Sequence, residues 1–427
     1  MIASILGERS VDPAVRAAAE RALPRLLEED ARRRAVRMRV LEAFLAEGVA
    51  ESDLAGSTGY GYDDAARDRY ESLLARVFRA ERVLARLSIV SGTHAIVAAL
   101  DALVEPGARL LCANGAPYDT LRHALVDAPY SLVARGVDYA EVPRTIAGET
   151  DLGALADALL ARPPAVAFVQ RSRGYAARRS LSIDAIERIV AVVRANAPDA
   201  VVFVDNCYGE LVEEREPLEA GADVIAGSLI KNVGGGLAPT GGYIAGRAEL
   251  IARIAARVFA PGIGAGLGPT LGLGRTLMQG LFYAPLVIGE TLRGLNFAAA
   301  LFAQLGFEVD PLPGELRTDI VQAIRLGSRE RLIAFARGLQ AALPVNARFM
   351  PEPGPVPGYV DPVIMSSGSF ISGSTIDLSC DAPLRAPWDV YLQGGIVAEH
   401  VALGAILAAD AVCSGEERTS RAGEGER

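Results

Sequence analysis

Of the 43 lysine and arginine residues in this 427-residue chain, one is a lysine, Lys231, and all the others are arginine. Lysine is ordinarily among the commonest residues, so wherever a cation alone was needed this sequence uses a guanidinium. Arginine stays protonated under any ordinary condition, whereas a lysine ammonium in a suitable pocket loses its proton and becomes an amine that attacks carbonyl carbon. Schiff-base formation requires that property. Chance survival of one lysine in an arginine-rich composition is the competing account, and the surroundings of Lys231 decide between them.

Three segments supply those surroundings. In GADVIAGSLIKNVGGG a strand beginning at Val224 leads to Ser228, then to Lys231, then to glycines that let the backbone approach a ligand closely. The lysine precedes the glycines, so the GxxxxGK[ST] order of a nucleotide loop is absent. In VVFVDNCYGE, Asp205 ends an apolar strand, where a carboxylate stands at the ligand-binding edge of a sheet. Pyridoxal 5'-phosphate (PLP) needs such a carboxylate: paired with the pyridine nitrogen, it keeps the ring able to take up electrons when a substrate bond breaks. A turn-forming Asp-Asn pair is the commoner use of these residues. In SGTHAIVAAL, Ser91, Gly92 and Thr93 open a helix whose N-terminus can hold a phosphate, although an ordinary N-cap explains an isolated S-G-T equally well.

The elements that must position these residues follow from the hydrophobic pattern. Short apolar runs at 109–113, 165–169, 201–204, 224–226 and 243–245, with amphipathic stretches between several of them, predict an α/β fold. Its central sheet is mainly parallel with helices on both faces. Residues 1–50 read as an N-terminal helical arm, 51–285 as a large ligand-binding domain, 286–413 as a smaller C-terminal α+β domain and 414–427 as a solvated, disordered tail. A helix is expected from about Tyr70 to Phe78, and others near 286–305 and 328–342.

Composition narrows the classes. No uninterrupted apolar stretch reaches the roughly 18 residues of a spanning helix, so a soluble, cytoplasmic protein without a membrane partner is expected. The net charge of −9 argues against a nucleic-acid partner and suits a small zwitterionic ligand. Four separated cysteines with no CxxC pair suggest reduced thiols and no metal site.

In chain order, a phosphate-binding helix, a strand-end Asp and a strand-end Lys follow the plan of the aspartate-aminotransferase-like PLP fold, fold type I. The strings TGYGYDD, SGTHAI, PYDTL, QRSRGY, FVDNCYGE, APTGGYIAGR, APGIG and YLQGG extend the likeness from about Gly59 to Gly395. They resemble the methionine γ-lyase-like family, also labelled aluminium resistance proteins. The resemblance implies a PLP-dependent lyase removing a substituent from Cγ of an amino acid. It implies Lys231 as the Schiff-base lysine, Asp205 as pyridinium partner and Gly92, Thr93 and Ser228 as phosphate ligands. Tyr118 takes the place of a tyrosine stacked on the cofactor and able to protonate the leaving group. Tyr62 matches a tyrosine sent across a subunit interface to the neighbour's phosphate, which implies a homo-oligomer, dimer or tetramer; Arg67 is a weaker candidate beside it. Arg385 is the implied clamp for the substrate carboxylate, with Arg173 and Arg171 as rivals, and His94 is read as held by its own helix.

Ala116, Ala265, Gly266, Cys380 and Ala382 depart from the family pattern, and lost charges near a pocket point to an altered substrate. A thiol is the family-based leaving group. Halide loss from a C4-halogenated, unsaturated amino acid to give an alkynyl product is the alternative, with β-elimination and transamination also open. A PLP-binding regulatory protein without turnover is the reading from a different class.

Overall fold

The computed structural model describes residues 1–176 and 178–424, with side chains through 414. It divides into two compact units, Arg32–Pro285 and Met1–Ala31 with Leu286–Arg427. Residues 1–50, expected as one arm, are shared between them: the helix Pro13–Leu27 belongs to the second unit and the helix Arg32–Glu47 to the first. The expected boundary after residue 285 falls inside a single helix, Gly274–Gln304. Within the stretch expected as a tail, the helix Ala398–Glu424 continues to its last described residue.

The larger unit is built on strands β1 (Arg82–Arg86), β2 (Arg109–Cys112), β3 (Asp138–Glu141), β4 (Val166–Gln170), β5 (Val201–Asp205), β6 (Val224–Ser228) and β7 (Gly242–Gly246). They form one sheet in the order β1-β7-β6-β5-β4-β2-β3. Pairings from β3 across to β6 are parallel, while β7 runs antiparallel to both β6 and β1. β4, β5 and β6 read VAFVQ, VVFVD and VIAGS and are almost wholly buried. Parallel strands covered on both faces have no polar face to alternate with. The side chains of Leu84, Ile96, Leu100, Leu110, Phe168 and Phe203 fill the core beneath the helix Gly92–Leu103, with Phe168 and Phe203 edge to face at 5.6 Å.

The smaller unit carries β8 (Glu308–Asp310), β9 (Val321–Arg325), β10 (Val363–Ser367), β11 (Ser379–Pro383) and β12 (Asp389–Gln393). These make an antiparallel sheet in the order β10-β11-β12-β9-β8. The helix Arg329–Gln340 packs on β10 and β11 and against Ala398–Glu424. All four cysteines are free thiols. Among the described residues one helix, Gly274–Gln304, is long and apolar enough to cross a membrane by length and composition; 61% of its apolar window is buried inside the protein.

Candidate active site

β5 and β6 run side by side in parallel, so their carboxyl ends deliver Asp205 and Ser228 to the same edge of the sheet. Strand ends of this kind are where open α/β sheets hold ligands. The helix Gly92–Leu103 starts against that edge. A Cβ on Gly92 would stand 3.1 Å from Cys207 Sγ and 3.4 Å from Ser228 Cβ, so glycine leaves a cradle between the helix N-terminus and Ser228. Ser91 caps the helix, its Oγ accepting from His94 N at 3.0 Å. His94 Nδ1 accepts in turn from Val90 N at 3.3 Å, which keeps the ring local.

Asp205 is 3% exposed. Its Oδ1 accepts from Cys207 N at 3.1 Å, and the Cys207 thiol lies beside it. An ionised carboxylate has about four acceptor positions, so this one retains capacity for a further N–H. Burial raises the Asp205 pKa against the opposing pull of Lys231, the Cys207 backbone and Arg178.

Lys231 follows β6 and precedes a single 3-10 turn, Asn232–Gly234. Its Nζ lies 3.9 Å from the centre of the Tyr208 ring. Burial works against the ammonium, while Cys207, Tyr208, Tyr118 and Asp205 around it act the other way, so its pKa stands well above that of an ordinary lysine. A cationic ring paired with Asp205 would remove that negative neighbour and add a positive one, both of which favour the neutral amine.

Tyr118 completes the group. Its hydroxyl is 2.9 Å from Thr93 Oγ1, and its N–H donates to Gln170 Oε1 at 2.9 Å. Gly174, at φ 59°, passes so close that a Cβ there would be 3.0 Å from Tyr118 Cβ. Burial, then the neighbouring Asp205 and Cys207, push the phenol well above its usual range, so it keeps its proton at neutral pH.

Several residues around Lys231 were given no role in the sequence reading. Asn232 Nδ2 donates to the carbonyls of Tyr208 at 3.0 Å and Glu210 at 2.9 Å. Glu210 is fully buried, its Oε1 accepting from Tyr243 OH at 2.9 Å, and burial pushes its carboxyl to about 8. Arg178 is also buried and donates to the carbonyls of Arg173, Ser172 and Ala116. The strings FVDNCYGE and IKN contained Tyr208, Glu210 and Asn232; their contacts with Lys231 depend on the fold.

The remaining candidates separate. Arg173, 3% exposed in the loop after β4, donates its N–H to Ser180 Oγ at 3.2 Å. Arg171 is removed as a carboxylate clamp. Its fully buried guanidinium donates to Asn206 Oδ1 and to Glu213 Oε2, each at 2.7 Å. Arg67 is 5% exposed and donates to Gly61 O at 2.6 Å and to Gly266 O at 3.4 Å, bracing two loops rather than facing outward. Tyr62 is 66% exposed, its ring 5.7 Å from that of Tyr60. Arg385 lies in the smaller unit between β11 and β12, where its NH1 is 3.5 Å from Asp361 Oδ2.

The sequence profile of the methionine γ-lyase family matches residues 12–413. The chain belongs to that family. It is 43% identical over 367 residues to the uncharacterized protein YnbB of Bacillus subtilis (strain 168), covering 85% of this chain and 87% of that one. A crystal structure from Clostridium acetobutylicum, named a candidate cystathionine β-lyase involved in aluminium resistance, superposes with a TM-score of 0.91 at 40% identity, covering 96% of this chain and 97% of the other. The PLP-dependent protein YhfS of Escherichia coli shares the fold at 18% identity with a TM-score of 0.62, over 91% of this chain and 98% of that one. The family is one of carbon–sulfur-lyase-like enzymes of PLP fold type I, and PLP is its cofactor. The residues here fit that group: a glycine cradle at a helix N-terminus beside Ser228 for the phosphate, a buried strand-end carboxylate with spare acceptor capacity, and one primary amine between them.

Proposed function

We propose that this protein is a PLP-dependent lyase carrying out γ-elimination on an amino acid, with Lys231 as the cofactor-binding lysine. The observation that carries the reading is the convergence of the chain's sole lysine with Asp205, Tyr118 and the helix N-terminus at Gly92. When bound, the cofactor supplies an electron sink for the pair released at the substrate Cα. The protein's own groups do the rest. The N–H groups of Gly92 and Thr93 and the hydroxyl of Ser228 would hold the phosphate, and Asp205 would keep the ring nitrogen protonated. Lys231 Nζ would take the Cα proton and then a Cβ proton, whose electron pair forms the Cβ–Cγ double bond and expels the γ substituent, and it would return a proton at Cγ afterwards. The Tyr118 phenol, kept protonated by its surroundings and oriented by Thr93, donates to the leaving group.

Arg385 and Arg173 are the carboxylate clamps in this reading. Tyr62 serves a neighbouring copy, which makes the active form a homo-oligomer, dimer or tetramer, in the cytoplasm. A panel of amino acids with a thioether, a hydroxyl or a halide at Cγ tests it. The reading expects 2-oxo acid or an unsaturated amino acid together with stoichiometric release of the substituent. Release from Cβ-substituted amino acids only, or amino-group transfer without any release, contradicts γ-elimination.

A further inference from the structure

We propose that Arg144 and Arg178 form an anion site beside Tyr118, so that the substrate is an amino acid whose side chain carries a second acidic group. The proposal rests on the lyase reading for the identity of the occupant as an amino acid; the anion site itself rests on the following geometry. Two cations converge on the loop that delivers Tyr118. Arg178, 4% exposed, places NH1 on Ala116 O at 3.4 Å. Arg144 lies against the preceding residue: a Cβ on Gly115, which has φ 94°, would be 2.6 Å from Arg144 Nε. Tyr118 follows two residues after Ala116.

Neither guanidinium has a carboxylate hydrogen-bonded to it among the described residues. Arg178 donates only to backbone carbonyls, those of Arg173 at 3.0 Å, Ser172 at 3.2 Å and Ala116. A guanidinium has five N–H donors, so donors remain. Arg144 is partly buried, and the carboxylate acting on it is Glu141. Glu141 is already engaged by the Arg122 guanidinium and by Tyr139 OH, the latter at 2.6 Å. The carboxylate acting on Arg178 is Asp205, which the lyase reading commits to the cofactor ring; the Cys112 thiol acts in the same direction.

Burying cations without matched anions is costly: burial lowers the pKa of both guanidinium groups, and that of Arg178 falls to about 9 through burial first and the neighbouring Arg144 second. An incoming carboxylate relieves both costs, and guanidinium grips a carboxylate through two parallel bonds. Such a site sits at the Tyr118 loop, whereas the phosphate cradle is at Gly92 and Ser228. It therefore suits a distal acid group on the substrate side chain.

The test is calorimetric titration of the holoenzyme with unreactive acids, glutarate against butyrate, which have equal carbon counts apart from the second acid group. The expected result is glutarate binding at least about tenfold more tightly. In Arg144→Ala that ratio falls toward one, and in Arg144→Lys most of it is kept, while Arg188→Ala, on an exposed helical face, leaves it unchanged. Equal affinities in the unaltered protein, or a ratio insensitive to Arg144→Ala, overturns the proposal. Because these ligands do not react, the ratio stands or falls independently of elimination: turnover without a ratio removes the anion site, and a ratio without turnover removes the lyase reading.

Discussion

Lys231 Nζ rests 3.9 Å from the centre of the Tyr208 ring, and Tyr208 itself is held in the left-handed backbone region at φ 70°. A bulky residue there is strained, and Asn232, the residue after the lysine, holds it through the Tyr208 carbonyl. Under the proposed lyase reading, the ring would be a resting surface for the amine once substrate displaces it. Tyr208→Ala should lower kcat by about tenfold or more, in keeping with a cation–π contact of about 1–2 kcal/mol, whereas Tyr208→Phe keeps the face and most of that contribution. Steady-state kinetics on both variants check this. Equal losses would assign the effect to the hydroxyl instead.

Tyr118→Phe removes the proton donor and leaves the ring. The expected loss in kcat is about 10²–10⁴-fold with little change in KM, because Gln170 still holds the backbone N–H. Leaving groups that depart without protonation should be affected least. A uniform loss across leaving groups contradicts the assignment.

Glu210 makes stability depend on pH. Burial moves its carboxyl from the ordinary 4.5 to about 8. Below the lower value both folded and unfolded chains are protonated, and the group contributes nothing. Between the two values the unfolded chain releases a proton that the folded chain keeps, so stability falls as pH rises, and the penalty is complete above the upper value. Glu210→Gln should therefore leave the melting temperature nearly unchanged near about pH 4.5 and raise it near about pH 9. A variant equally stabilised at both pH values would contradict the linkage.

Arg171→Met separates a structural arginine from a substrate clamp. The guanidinium is buried against Asn206 and Glu213 and lies 3.8 Å from the fully buried Glu216 carboxylate, and removing one partner of a buried pair costs about 3–5 kcal/mol because the other charge is stranded. Denaturant unfolding should show a loss of that size. A raised KM with unchanged stability would return Arg171 to the substrate.

The sequence made the centre of the large sheet legible because β4, β5 and β6 are continuous apolar runs. The edge strands β1 and β3 were not, since RVLAR and DYAE break the apolar run with charges, and that Arg86 is buried against Glu71 depends on the fold. The helix expected from Tyr70 begins at Ala65, where Asp64 caps it by accepting from Arg67 N at 2.9 Å; its cap was hidden in the Tyr-Asp-Asp loop. Within the site, Lys231 announced itself by residue type and Asp205 by its place at a strand end. Tyr208, Asn232 and Arg178 did not, because a left-handed backbone, carbonyl contacts and burial arise only when separate loops close together. For the same reason Arg171 and Arg173, adjacent in one string, could not be told apart until Glu213 was brought beside the first.

The central claim is that the only lysine carries the cofactor. Holoenzyme reduced with borohydride and digested should yield one pyridoxyl-labelled peptide, the one containing Lys231, with label approaching one per chain, and Lys231→Ala should yield none. Label at the chain's N-terminal amine, or a reduced protein from which the cofactor still dialyses away, would contradict the account.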